Sequence, residues 1–173
     1  ARNSKFLGYD SFVLDLGCGP ADISIRFAKA FPNTVIHGLD GAEAMLNYGL
    51  SAIDKADLRH RIELYQGMIQ TADLPLDKYD VIISNSLLHH VHEPKDFWNA
   101  VKQHAGEQTI VFIMDLFRPE SETIAEQLMA EYADSEPEIL KRDFHNSLKA
   151  AFTPDEIRGQ LQELGMDQLE ILT

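Results

Sequence analysis

The sequence predicts an α/β fold: a doubly wound, mainly parallel sheet with helices on both faces and a small helical insertion. Three observations predict it. Short apolar runs alternate along the chain with segments of helical periodicity, the pattern of repeated β–α–β units. The first run, Phe12-Val13-Leu14-Asp15-Leu16, leads directly into Gly17-Cys18-Gly19-Pro20 and then into a helical pattern. The second, Thr34 to Leu39, ends in a carboxylate, Asp40. No repeat, linker or low-complexity tract interrupts the alternation, so residues 1–173 are expected to form a single domain.

Composition narrows the function classes. A chain of 173 residues can bury a sizeable core. Its 45% apolar and 25% charged residues are ordinary for a globular protein. A net charge of −13 repels phosphate backbones and anionic membrane surfaces, so neither nucleic acid nor membrane is expected as a partner. The one cysteine, Cys18, excludes an internal disulfide and reads as a small, soft wall residue rather than a catalytic thiol. No apolar run is long enough to span a bilayer and no signal peptide is visible, which leads to an expected cytoplasmic location. The oligomeric state stays open, a homodimer included.

Residues 1–11 are short and polar, with Phe6 and Leu7 after Arg2, Asn3 and Lys5. They read either as the tail of a lid helix or as a frayed end. In the first unit, Gly17 and Gly19 free the backbone to turn and leave no side chain between it and a ligand. Asp22 is expected to cap a helix bearing Ile23, Phe27, Ala30 and Phe31 at helical spacing. Strand, glycine turn and helix start form the geometry that holds a nucleotide-like ligand at the carboxyl end of a parallel sheet. The third glycine of G-x-G-x-x-G is missing. Asp22 stands there, and an acid facing a pyrophosphate is unfavourable, so a dinucleotide is disfavoured. Asp40 lies a little over twenty residues beyond Gly17, where a carboxylate can accept both hydroxyls of a ribose. It can equally cap the helix starting near Ala42, and the two roles are compatible.

Ala44, Met45 and Tyr48 recur at helical spacing over 42–50, and the charged residues 51–60 read as more surface helix. Ile62 to Tyr65 alternates like a third strand near a sheet edge, followed by Met68 and Ile69. Asp80 to Ser84 is a buried strand with Asn85 at its carboxyl tip, placed either to contact a ligand or to make an Asx turn. His89, His90 and His92 cluster. Adjacent histidines are expected to point apart, and no cysteine or acid repeats at ligand spacing, so no metal site is expected. Glu93-Pro94 opens a helix with Phe97, Trp98, Val101 and Ala105 buried and Gly106 at its end. Thr109 to Met114 is strongly apolar and therefore expected at the centre of the sheet. Arg118 suits either a substrate carboxylate or a surface pair with Glu120 or Glu122.

Residues 119–150 are acidic and helical, with stripes Ile124, Leu128, Met129 and Ile139, Leu140, Phe144, Leu148 separated at Pro137. An insertion leaving the carboxyl end of a strand is placed to form a lid. Thr153-Pro154-Asp155-Glu156 reads as a capped helix start, with Ile157, Leu161 and Leu164 facing the core and Gly165 ending it. Gln168 to Leu172 is expected as a last strand.

The runs Val13-Leu14-Asp15-Leu16-Gly17-Cys18-Gly19-Pro20, Gly38-Leu39-Asp40 and Tyr79-Asp80-Val81-Ile82-Ile83-Ser84-Asn85-Ser86-Leu87-Leu88-His89-His90 closely resemble the class I S-adenosylmethionine-dependent methyltransferases. The likeness covers roughly Phe12 to Thr173 and is strongest to small-molecule members, whose fourth strand runs into a Leu-His-His type loop. Amino-methylating enzymes of nucleic acid or protein carry an Asn-Pro-Pro-Tyr type run there instead. The resemblance implies a Rossmann-like sheet, S-adenosyl-L-methionine as cofactor with S-adenosyl-L-homocysteine as product, and a small-molecule methyl acceptor. It also implies a further amino-terminal helix and one more strand, so the termini are expected to be truncated.

Residue by residue, the resemblance sets Gly17, Cys18 and Gly19 along the methionine part, Asp40 and Gly41 at the ribose, and Met68 and Ile69 at the adenine. Asp15 would order the turn and reach the cofactor's amino group indirectly. Asn85, also a cofactor contact, would border the transferred methyl together with His89 and His90 as candidate catalytic residues. Family members often place an acid near position 68 for the adenine amine; Met68 leaves packing and backbone to hold that ring. Two other readings stand beside this one. A non-catalytic S-adenosyl-ligand-binding protein keeps the same fold. An NAD-dependent oxidoreductase is disfavoured by the missing third glycine and the absence of a Tyr-x-x-x-Lys pair.

Overall fold

The computed structural model describes residues 11–173, so the reading of Arg2, Asn3, Lys5, Phe6 and Leu7 lies outside the described residues. In chain order the elements are β1 (Ser11–Leu16), α1 (Asp22–Ala30), β2 (Thr34–Asp40), α2 (Glu43–Lys55), β3 (Ile62–Gln66) and β4 (Tyr79–Asn85). A short 3₁₀ turn (Leu88–His90), α3 (Pro94–His104), β5 (Ala105–Met114), α4 (Glu122–Tyr132), α5 (Glu138–Ala150) and α6 (Pro154–Glu163) follow. They divide into two compact units. One runs to Asn85 and includes Asp96–Met114; the other is Ser86–Lys95 with Asp115–Thr173.

The first unit is built on one sheet in the order β3-β2-β1-β4-β5, with every pairing parallel. Strand order reverses between β1 and β4, and the carboxyl ends on either side of such a switch point open a ligand crevice. β1 and β4 are buried almost throughout, as strands covered on both faces must be. Val13, Val81 and Ile83 join Ala28 of α1 and Ile53 of α2 in one core cluster. Period-two alternation sends Leu14, Leu16 and Ile82, all wholly buried, to the opposite face.

Several local expectations shift. α1 buries Ser24 and Ala28, whereas Phe31 lies past its end and is exposed. Its cap position is Ala21, in a left-handed conformation with no side-chain cap, and Asp22 is the first helical residue. α2 turns Leu46, Gly49 and Ile53 inward and leaves Met45 and Tyr48 exposed. Gly49 decides that face: a Cβ there would sit 2.9 Å from a Leu64 methyl and 3.3 Å from the Ala21 Cβ. No larger residue allows α2 so close to β3. The helix stops at Lys55, and no helix continues through 56–60. α3 buries Phe97, Trp98 and Val101 as expected but ends at His104, because Ala105 and Gly106 have joined β5.

β5 is the edge strand rather than a central one. Its side chains alternate, with Ile110, Phe112 and Met114 exposed. An apolar run reports strand propensity, but which neighbours it pairs with is a tertiary matter.

In the second unit α4 buries Ala125 and α5 buries Leu148, while Ile139 and Leu140 stay exposed. The two helices are tied by His145 Nε2 and Glu122 Oε1 at 2.8 Å. α6 opens with a full capping box between Thr153 and Glu156 and buries Leu161; Gly165 beyond its end has φ +63°. Arg118 pairs with Glu156 rather than Glu120 or Glu122. Gln168–Leu172 forms no strand, and Leu172 is 88% exposed.

Ile82 has no exposed surface and sits in the strand flanked by β1 and β5. Ile82→Ala is expected to lower the unfolding free energy by about 2–5 kcal/mol in urea titrations.

Candidate active site

The carboxyl ends of β1, β2, β3 and β4 carry most of the sequence-nominated residues, and all of these belong to the first unit. β1 ends in a turn with Gly17 at φ 72°, Gly19 at φ 50° and Ala21 at φ 62°, left-handed positions that favour glycine. The amides of Gly17 and Cys18 both donate to the Leu39 carbonyl, at 2.8 and 3.1 Å. The Gly19 amide donates to Asp40 Oδ2 at 2.9 Å, and the Ala42 amide donates to Asp40 Oδ1 at 2.8 Å. One carboxylate thus joins the glycine turn to the start of α2. Each of its oxygens keeps a further lone pair for a ligand hydroxyl.

The turn has room. A Cβ on Gly19 would meet nothing within 4 Å. The opposite holds at Gly38, where a Cβ would fall 2.7 Å from a Leu64 methyl and 2.9 Å from Cys18 Sγ. Cys18 is buried against that bare backbone. Its burial, then the nearby Asp15 and Asp40, push the thiol far above its ordinary range, which disfavours the nucleophilic thiolate. Met68 lies beside Gly41: its sulfur is 3.4 Å from where a Cβ on Gly41 would stand, and the side chain is 60% exposed. Ile69 follows it, half-buried. Asn85 is half-buried at the tip of β4, next to Ser84, whose hydroxyl donates to the Leu16 carbonyl at 2.7 Å and ties the ends of β1 and β4 together.

Asp15 is wholly interior and its Oδ2 accepts from the Ser24 hydroxyl at 2.5 Å. The bond ties the end of β1 to α1. Burial raises the Asp15 pKa to about 6; the Ser24 hydrogen bond opposes this, and Asp22 and Asp40 add to it.

His89 and His90 lie in the second unit. His89 is buried, with Nδ1 2.5 Å from Asp115 Oδ1. Its ring does not point away from His90: the two centroids are 4.0 Å apart. Among the described residues no three His, Cys, Asp or Glu side chains gather as metal ligands would. Asp115, which pairs with His89, was not among the residues that the sequence nominated. It follows the last residue of an apolar strand, as Asp40 follows Leu39.

A strand-order switch point, a glycine turn and a carboxylate on the adjoining strand are the features of an α/β domain of the nucleoside-binding type. The chain belongs to the family described as Methyltransferase domain, whose sequence model matches residues 9–162. Among curated proteins it is 35% identical over 75 residues to Protein arginine N-methyltransferase 1 of Schizosaccharomyces pombe, 43% of this chain and 22% of that protein. It is 34% identical over 73 residues to the U6 snRNA (guanine-N(2))-methyltransferase THUMPD2 of Bos taurus, 42% of this chain and 15% of that protein. The crystal structure of the plantazolicin methyltransferase BpumL, solved with a pentazolic desmethylPZN analog and SAH, superposes with TM-score 0.72 at 19% identity, over 89% of this chain and 55% of that one. That identity shows a shared fold. The chain thus spans about a fifth or less of these two curated relatives, whose named acceptors differ.

The raised pKa of Asp15 has a stability consequence. Between 3.8 and about 6 the native chain holds a proton that the unfolded chain has released. This contribution to stability is therefore full below pH 3.8 and is lost as pH rises through about 6. Asp15→Asn is expected to remove that part of the pH dependence, so that the variant gains on wild type as pH rises across this window. Chemical denaturation of both proteins at a series of pH values measures it.

Proposed function

We propose that this chain transfers a methyl group from S-adenosylmethionine to a small-molecule acceptor. The observation that carries the reading is the Asp40 carboxylate held between the Gly19 and Ala42 amides, with open space over Gly19. It sets an acceptor for ribose hydroxyls against a side-chain-free bend, and both belong to a chain of the methyltransferase domain family. Bound S-adenosylmethionine supplies a methyl on a sulfonium, already an excellent leaving group. The chain's part is to bind, orient and exclude water.

Gly17 and Gly19 let the backbone approach the methionine part, and Asp40 holds the ribose. Met68 and Ile69 offer an apolar surface to the adenine, with no carboxylate between them. Asn85 lies at the end of β4, beside the β1 turn in the sheet order. The net charge of −13 and the Asn85-Ser86-Leu87-Leu88 run favour a small acceptor over a nucleic acid.

Isothermal calorimetry with S-adenosylmethionine tests the reading, and absence of binding at millimolar cofactor would sink it. Asp40→Ala is expected to weaken binding by about 1–3 kcal/mol through lost hydrogen bonds to a charged group, roughly five- to 150-fold in Kd. Unchanged affinity would remove Asp40 from the site. Transfer of a radiolabelled methyl to a panel of phenols, thiols and amines then identifies the acceptor.

A further inference from the structure

We infer that Met68 sets the base selectivity of the nucleoside site: the chain grips the ribose and the sulfonium arm of its methyl donor and leaves the exocyclic group of the purine unread. The ligand class that follows is wider than S-adenosylmethionine. It takes in S-nucleosidyl compounds whose purine carries an amine, an alkylamine or an oxo group at that position. The inference rests on the S-adenosylmethionine reading above and adds what the site demands of the base.

Sheet order locates the base. The ends of β1, β2 and β3 are neighbours, with Leu16 beside Leu39 and Asp40 beside Gln66. Adjacent strands stand about 5 Å apart. With the sulfonium arm at the glycine turn after β1 and the ribose at Asp40, the base is left to the loop after β3, residues 67–72. That loop is anchored beside the ribose carboxylate. The Gly67 amide donates to the Asp40 carbonyl at 3.0 Å, and the Met68 sulfur is 3.4 Å from where a Cβ on Gly41 would stand. All of these residues belong to the first unit.

The loop is a closed knuckle. The Thr71 and Ala72 amides both donate to the Met68 carbonyl, at 3.0 and 2.9 Å. Ala72 folds back so that its Cβ lies 2.9 Å from where one on Gly67 would stand. Met68 is left at the outer end, 60% exposed.

The chemistry the knuckle offers a base is narrow. Met68 and Ile69 give apolar surface, and a thioether is only a weak acceptor. The Ile69 and Gln70 amides make no hydrogen bond among the described residues, and their N–H groups suit the ring nitrogens that every purine carries. Gln70 turns its side-chain amide to Asp96 of α3 at 3.3 Å. A hydroxyl such as that of Thr71 donates or accepts alike, so it serves an amine and an oxo group equally. Only an acceptor-only group, a carboxylate, would leave the wrong base unpaired and so reject it. No side chain of residues 67–72 is one. The next carboxylate along the chain, Asp73, follows Ala72 at the root of the knuckle, not at its outer end.

Calorimetric titration of the wild-type chain with S-adenosylhomocysteine, its analogue methylated on the base amine, and S-inosylhomocysteine tests this. The Kd values are expected to agree within about fivefold, no more than one neutral hydrogen bond contributes. Met68→Asp puts an acceptor-only group at the knuckle. It is expected to favour S-adenosylhomocysteine over S-inosylhomocysteine by at least about tenfold, the worth of a hydrogen bond to a charged group. Met68→Leu keeps the apolar surface and is expected to keep the wild-type ratio. A wild-type spread wider than about fivefold, a ratio that Met68→Asp leaves unchanged, or one that Met68→Leu shifts as far as Met68→Asp, overturns the inference. If Met68→Asp does not fold, the wild-type ratio decides alone. A folded wild-type chain that binds none of these compounds overturns instead the S-adenosylmethionine reading, and the inference with it.

Discussion

The Asp40 carboxylate is the constraint on which the site depends. It accepts one amide from the glycine turn and one from the start of α2, and so fixes the ends of β1 and β2 relative to each other. It adds to the backbone bonds that hold three left-handed positions in one short turn, Gly17, Gly19 and Ala21: those of the Gly17 and Cys18 amides to the Leu39 carbonyl and of the Ala21 amide to the Cys18 carbonyl. Such positions persist when the surroundings over-determine them. Here the surroundings are a strand end on each side and a buried Asp15–Ser24 bond beneath.

The same economy of contact explains the bare backbone at two further points. Gly38 admits the Cys18 sulfur, and Gly49 admits Leu64 and Ala21. Both bring α1, α2 and the sheet close enough that the turn has a solid floor. Each glycine loses more conformational freedom on folding than a larger residue would, and each gains close packing around the ligand end of the sheet. Asp15 shows the opposite trade: an acid buried where an apolar residue would be more stable, kept in place by one hydroxyl.

Much of this was legible along the chain. Apolar runs found all five strands, and Thr153 to Glu156 announced the cap of α6. The glycine turn and Asp40 were visible because spacing along a β–α–β unit fixes where strand ends fall. Asp115 was not, although it stands after its strand as Asp40 stands after Leu39. A carboxylate gains meaning from its partner, and His89 lies twenty-six residues away in sequence. The faces of α1 and α2 were legible only in part: Ile23 and Phe27 do pack against the core, but periodicity counts large apolar residues, while the buried positions of α1 are Ser24 and Ala28 and α2 buries Gly49 beside Leu46 and Ile53.

By itself the sequence determined what short-range physics controls: which segments extend, which coil, where glycine permits a turn and where a hydroxyl caps a helix. Those choices depend on neighbours within a few residues. Only the tertiary structure decided that β5 is an edge, that residues 168–172 stay unpaired and that Asp115 reaches His89. Strand order and side-chain pairing arise between segments far apart in the chain. There the outcome is set by which surfaces can be buried together, a quantity that no local stretch contains.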